Sequence, residues 1–94
     1  MGQEIIKLTS DCLTYFNSNC YTQNRIDKYK SMWKKGILFY MRENKLTIYT
    51  AEVGAAFIDF FINPGFVTAK ERDFIRSVQV LTDFLELGYI RKNL

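Results

Sequence analysis

The stretch TQNRIDKYKSMWKKGILFYMREN, residues Thr22 to Asn44, decides the fold, because its two faces carry different messages. On a helix advancing 100° per residue, Ile26, Tyr29, Trp33, Gly36, Ile37 and Tyr40 fall within an arc of about 100°, which makes a core face. On the far side Asn24, Lys28, Ser31, Lys35 and Arg42 line up within roughly 60°, a polar and positive row along the same rod. Thr22 is suited to cap the start, and Tyr21 with Ile26 has the spacing of a hydrophobic staple. An unbroken helix over Thr22–Asn44 would be about 34 Å long. Gly36 lies on its core arc at a cost of about 1 kcal/mol relative to alanine. It is therefore expected to admit a crossing helix rather than to break the rod.

Outward from this rod the chain reads as further helices. Toward the N-terminus, Ile5, Leu8, Cys12, Leu13 and Phe16 recur at helical spacing, predicting a first helix from Gln3 to about Asn17, ended by Asn17-Ser18-Asn19. Toward the C-terminus, the apolar residues of a connector over Leu46–Tyr49 are expected to plug the core. Thr50 then caps a third helix with Val53, Ala56, Phe57, Phe60 and Phe61 inward, stopped by Asn63-Pro64-Gly65. Thr68-Ala69-Lys70-Glu71 has the pattern of a capping box and opens a fourth helix to about Leu87, with Gly88 as its C-terminal stop. Its inner face is Phe74, Ile75, Val78, Leu81, Thr82 and Leu85, and Arg72, Arg76, Gln79 and Asp83 occupy the opposite flank. No stretch reads as a strand. The expectation is an all-α, four-helix bundle forming one domain over residues 1–94.

Composition narrows the function. With 48% hydrophobic and 16% aromatic residues, the chain can build a core. It has no run of apolar residues long enough for a bilayer span and no signal-peptide plan, so a soluble, intracellular protein is expected. Two cysteines, Cys12 and Cys20, and no histidine leave no zinc ligand set, and the expectation is free thiols, buried or half-buried. The lack of histidine also removes the usual base of serine and cysteine triads. No phosphate-cradling glycine loop is present. The carboxylate pairs Glu52 with Asp59 and Glu71 with Asp73 read as solvated helix flanks, and Trp33 as core rather than as a base-stacking ring. No catalytic residue, metal site or cofactor is expected.

Charge distribution is more telling than the net +3. From Thr22 to Lys45 there are seven bases (Arg25, Lys28, Lys30, Lys34, Lys35, Arg42, Lys45) and two acids (Asp27, Glu43), so this part carries 7 − 2 = +5 and the rest −2. A local positive excess on a folded domain suits a polyanion. Arg, Lys and Asn in the first turns of two helices suit phosphates and base edges, aided by the amides of the helix N-termini. A helix-turn-helix fits less well, because that motif needs a tight turn before a short recognition helix. The competing reading is a helical protein-interaction module whose basic face is merely solvated.

YTQNRIDKYKSMWKKGILFYMREN, together with ERDFIRSVQVLTDFLELGYI from Glu71 to Ile90, resembles the core-binding domain of tyrosine recombinases, the integrases of phages and transposons. The resemblance implies a SAM-like bundle whose second and fourth helices face the DNA major groove, forming one half of a clamp. It implies double-stranded DNA at a recombination core site as partner, other recombinase protomers in the assembly, no membrane, and a bacterial cytoplasmic, nucleoid-associated location. Its DNA-facing residues fall on Asn24, Arg25 and Lys28, just before the family's common tyrosine, here Tyr29, and near Arg72, Asp73 and Arg76. With the basic rows, the candidate DNA-binding set is Asn24, Arg25, Lys28, Lys35, Arg42, Lys70, Arg72 and Arg76. Many members have Thr where Arg25 stands, which points that contact toward phosphate. The family's catalytic Arg, Lys, His-x-x-Arg and Tyr belong to a C-terminal domain, so the resemblance implies a non-catalytic fragment of a DNA-cleaving and rejoining parent.

Overall fold

Helix ends are written into this chain by local chemistry. The computed structural model describes residues 2–61 and 68–91. Within them run β1 (Gln3–Glu4), α1 (Ile5–Ser18), α2 (Gln23–Lys35), α3 (Ile37–Glu43), β2 (Ile48–Tyr49), α4 (Ala51–Phe61) and α5 (Ala69–Leu87). Thr22 accepts from the Arg25 amide at 3.3 Å, and Thr50 from the Val53 amide at 3.1 Å. Thr68 and Glu71 close the reciprocal capping box, at 3.1 and 2.9 Å. Gly88 ends α5 in the left-handed region, φ 78°. The expected stop at Asn63-Pro64-Gly65 lies outside the described residues.

Two helix ends are of a kind the sequence hid. Cys20 (φ 61°) and Lys45 (φ 55°) take the left-handed position usually given to glycine. The returning amides of Tyr21 and Leu46 bond to Phe16 O at 3.1 Å and Met41 O at 2.8 Å. Cys20 is thereby left exposed, in contrast to the buried or half-buried thiol expected, while Cys12 is fully buried. Burial pushes the Cys12 thiol up to about 12.

The long rod is not continuous. Gly36 (φ −110°, ψ −98°) leaves helical geometry and divides it into α2 and α3. The glycine nevertheless serves the packing role assigned to it: a Cβ there would stand 2.8 Å from Phe74 Cδ1 and 3.1 Å from Phe57 Cζ. Bonds Gly36 N to Met32 O and Tyr40 N to Gly36 O, both 2.9 Å, carry the chain through the bend. One residue makes this joint, not the three- or four-residue turn of a helix-turn-helix. The core arc survives it, with Ile26, Trp33, Gly36 and Ile37 buried and Tyr29 and Tyr40 half-buried.

Four rods, one of them bent, therefore make a mostly helical bundle, with one addition. Gln3–Glu4 pairs antiparallel with Ile48–Tyr49, so α1 begins at Ile5, later than expected. Glu4 caps α1 by accepting from the Ile6 and Lys7 amides, and the Ile5 amide donates to Thr47 O at 2.9 Å. Of the connector's apolar residues only Tyr49 enters the core; Leu46 and Ile48 remain exposed.

The core is an aromatic stack knitted to α5. Phe16 lies 4.5 Å from Tyr21, 5.0 Å from Tyr29 and 6.0 Å from Trp33, ring centre to ring centre. The Trp33 indole is buried and donates to Ser77 O at 2.9 Å. The Tyr49 hydroxyl reaches Val78 O at 3.3 Å and Thr82 Oγ1 at 2.7 Å. It lies over Gly54, where a Cβ would collide with its oxygen.

Inner faces shift in two places. On α4, Phe57 is buried, but Ala56 and Phe60 face outward, against expectation; the narrow stripe facing α5 is Gly54 and Phe57. On α5, Asp83 is buried rather than on the open flank. It accepts from Arg91 N at 3.2 Å, Nε at 3.1 Å and Nη2 at 2.7 Å. Burial pushes the Asp83 carboxyl up, and the bonds and charge of Arg91 outweigh it, so its pKa lies below the usual carboxylate range. Among the described residues no helix is long and apolar enough to cross a membrane.

Candidate nucleic-acid interface

The basic residues predicted from sequence are all at the surface, and the fold sorts them into separate places. Arg25 and Lys28 project from the first turns of α2, Arg76 from the second turn of α5. They meet around a hollow of about 170 Å³, lined also by Tyr29, Met32 and Asp73. What brings them together is the contact of α2 with α5, fixed by Trp33 on Ser77.

Each cation of this cluster is held differently. Arg25 lays its guanidinium over the Tyr21 ring, 4.9 Å from the centroid, and Tyr21 itself rests on Phe16. Burial raises the Tyr21 pKa, the neighbouring Tyr29 adds to this, and Arg25 partly opposes it, so the phenol stays neutral. Lys28 pairs with Asp73 at 3.2 Å, both side chains about half exposed. Such a surface pair contributes about 0 to 1 kcal/mol, weak enough to give way to a competing anion. Arg76 donates through Nη2 to Arg91 O at 3.0 Å, which anchors one arm of its fork beside the hollow. The cluster carries three positive charges against the single carboxylate of Asp73.

The other predicted residues are not part of it. Asn24, Lys70 and Arg72 are exposed in the first turns of α2 and α5 but do not line the hollow. Lys35 borders a different depression, with Lys30, Lys34 and Phe39. Arg42 lies beyond the bend at Gly36, stacked 5.7 Å over Phe39, in a groove shared with Lys34 and Lys45. The single straight row of the helical wheel thus becomes two basic regions. Sequence reasoning missed Tyr21 as the platform for Arg25, although an aromatic four residues before an arginine at a helix start was there to be read. It also left out Lys34 and Lys45, whose grouping with Arg42 depends on the bend.

Chemically the hollow offers forked and point-charge donors from two helices, which suits phosphate oxygens. It holds no nucleophile paired with a base. Among the described residues no group of three His, Cys, Asp or Glu side chains is placed to hold a metal ion. No protein-family model, curated protein or solved structure matches this chain.

Proposed function

We propose that this chain is a DNA-binding domain of the core-binding, SAM-like type found in tyrosine recombinases, and that it grips duplex DNA through the Arg25, Lys28 and Arg76 cluster. One observation carries the reading: three cations from two capped helices, far apart in sequence, converge on one hollow. The resemblance of the α2 and α5 sequences to that family supports it independently. In this reading α2 and α5 enter or flank the major groove, phosphates displace Asp73 from Lys28, and strand cleavage belongs to another domain of the parent recombinase.

The test is binding of the chain to a mixed-sequence duplex, followed by fluorescence anisotropy across a salt series. Three phosphate contacts give a slope of roughly −2.7 in log K against log salt, so affinity should fall about 40-fold between about 50 and 200 mM salt. The dissociation constant should be on the order of micromolar or weaker at low salt. A variant with Arg25, Lys28 and Arg76 all changed to alanine should lose the binding. Binding that is absent at low salt, or indifferent to salt, would transfer the argument to the protein-interaction reading.

A further inference from the structure

Away from the hollow, one face of the molecule presents an apolar groove and, beside it, a helix shaped to fill such a groove. The groove, about 640 Å³, lies between the start of α1, the end of α2, α3 and the turn that follows α3. Its apolar surface is Ile6, Leu38, Phe39 and Leu46, and three of these are markedly exposed: Ile6 63%, Phe39 50%, Leu46 37%. Its rim is Lys34, Arg42 and Lys45. None of the three forms an ion pair among the described residues. The one carboxylate lining the groove there, Glu4, is occupied by the Ile6 and Lys7 amides.

The outward face of α4 has the opposite character. Glu52, Ala55, Ala56, Asp59 and Phe60 are exposed at i, i+3, i+4, i+7 and i+8, which is one helix face. It carries two acids and no base, and Phe60 is 76% exposed. The two surfaces adjoin. Phe60 and Phe39 together line a hollow of about 380 Å³ between α3 and α4, and Phe39 is also a wall of the groove.

We propose that the occupant of the groove is a second copy of this chain: Phe60 and the acidic face of α4 in one protomer seat in the basic-rimmed apolar groove of the other, and the reverse. Because the two halves of the contact adjoin at Phe39 and Phe60, a two-fold axis passing near them brings both together at once and the assembly closes as a dimer. Charge complementarity selects this occupant, with Glu52 and Asp59 meeting Lys34, Arg42 and Lys45. Duplex DNA would satisfy the rim but leave the apolar surface facing a polar backbone. A membrane surface does not fill a concavity. The inference stands apart from the proposed DNA contact, since it uses a different basic region.

The test is sedimentation equilibrium of the chain without DNA, and small interfaces of this kind lead to an expected dissociation constant on the order of 10 to 100 µM. F60S, at an exposed position, should weaken the dimer at least about tenfold. K34E alone and D59K alone should each be monomeric with unchanged circular dichroism. An equimolar mixture of the two should regain the dimer, because in the mixed dimer one contact keeps the original Asp59 and Lys34 while the other opposes the new base at position 59 to the new acid at position 34. A wild-type chain that stays monomeric at about 200 µM, about twice the weaker expected constant, overturns the proposal. So does a dimer that appears only when DNA, anionic vesicles or another protein is added, and so does a mixture of K34E and D59K that remains monomeric.

Discussion

Replacing Gly36 with alanine sets two well-defined effects against each other. Alanine is the better helix former by about 1 kcal/mol, and a straight α2–α3 rod would gain that amount. The added methyl, however, meets Phe74 Cδ1 at 2.8 Å and Met32 O at 2.9 Å, with Phe57 Cζ at 3.1 Å. Phe74 and Phe57 are buried and packed against Phe61, whose ring centre lies 4.8 and 5.4 Å from theirs, so neither can swing away freely. Overpacking of this sort costs about 1 to 3 kcal/mol. The net expectation for Gly36→Ala is a loss of up to about 2 kcal/mol, which in a domain of this size lowers Tm by up to roughly 15 °C. Thermal unfolding followed by far-ultraviolet circular dichroism reads it directly. A companion variant, Phe74→Leu, should be less damaging in the Gly36→Ala background than alone, because it relieves the same contact. A Tm for Gly36→Ala above that of the parent would refute the reasoning and mean that the bend is dispensable.

Three further outcomes are expected. Arg25→Ala and Arg76→Ala should each reduce the salt slope of DNA binding by about one, and Lys28→Ala should weaken binding further by leaving Asp73 unopposed, whereas Arg42→Ala should leave the slope unchanged; equal effects at all four positions would dissolve the distinction between the two basic regions. Asp83→Asn should cost about 1 kcal/mol at neutral pH, a modest figure because the Arg91 side chain is 69% exposed and rehydrates. Since the folded-state pKa of Asp83 is depressed, its contribution is complete above the unfolded value and fades as pH falls through the folded one, so parent and variant should converge in stability below about pH 4, and parallel acid limbs in urea melts would contradict this. A thiol reagent at pH 8 should modify Cys20 rapidly and Cys12 only as fast as the protein opens, since Cys12 is buried with its pKa pushed up to about 12; two thiols reacting at one rate would be inconsistent with the packing of α1.

What could be read from the sequence was what neighbours in sequence decide. The caps at Thr22, Thr50 and Thr68 and the stop at Gly88 rest on contacts within a few residues, and all four are present. The core arc of residues 22–44 was legible because helical periodicity and burial coincide. Features set by distant partners were not. The joint at Gly36 depends on Phe74 and Phe57, and a wheel diagram shows neither. The β1–β2 pairing spans two residues on each side, too short for any alternation to register. Asp83 reads as a surface acid until the left-handed Gly88 turns the chain back and delivers Arg91 to it. Of the candidate DNA residues, Arg25, Lys28 and Arg76 are brought together by the packing of α2 on α5, and Asn24, Lys70 and Arg72, equally at helix starts, are not. Lys35 and Arg42 were projected along a straight rod that bends between them.

Tyr49 and Gly54 carry a consequence for how this sequence can drift. The phenol fills the space where a side chain at position 54 would begin, and a Cβ there would also come within 3.0 Å of Val78 Cγ1. Any substitution at 54 is therefore barred while the tyrosine remains. Losing the tyrosine first opens a void and removes the hydroxyl that bonds Val78 O and Thr82 Oγ1. The two positions are locked to one another: a lineage could exchange Tyr49 and Gly54 for a smaller residue and a larger one only through an intermediate that is less stable than either end, so the order of the two mutations, and not merely their identity, decides whether the path is open.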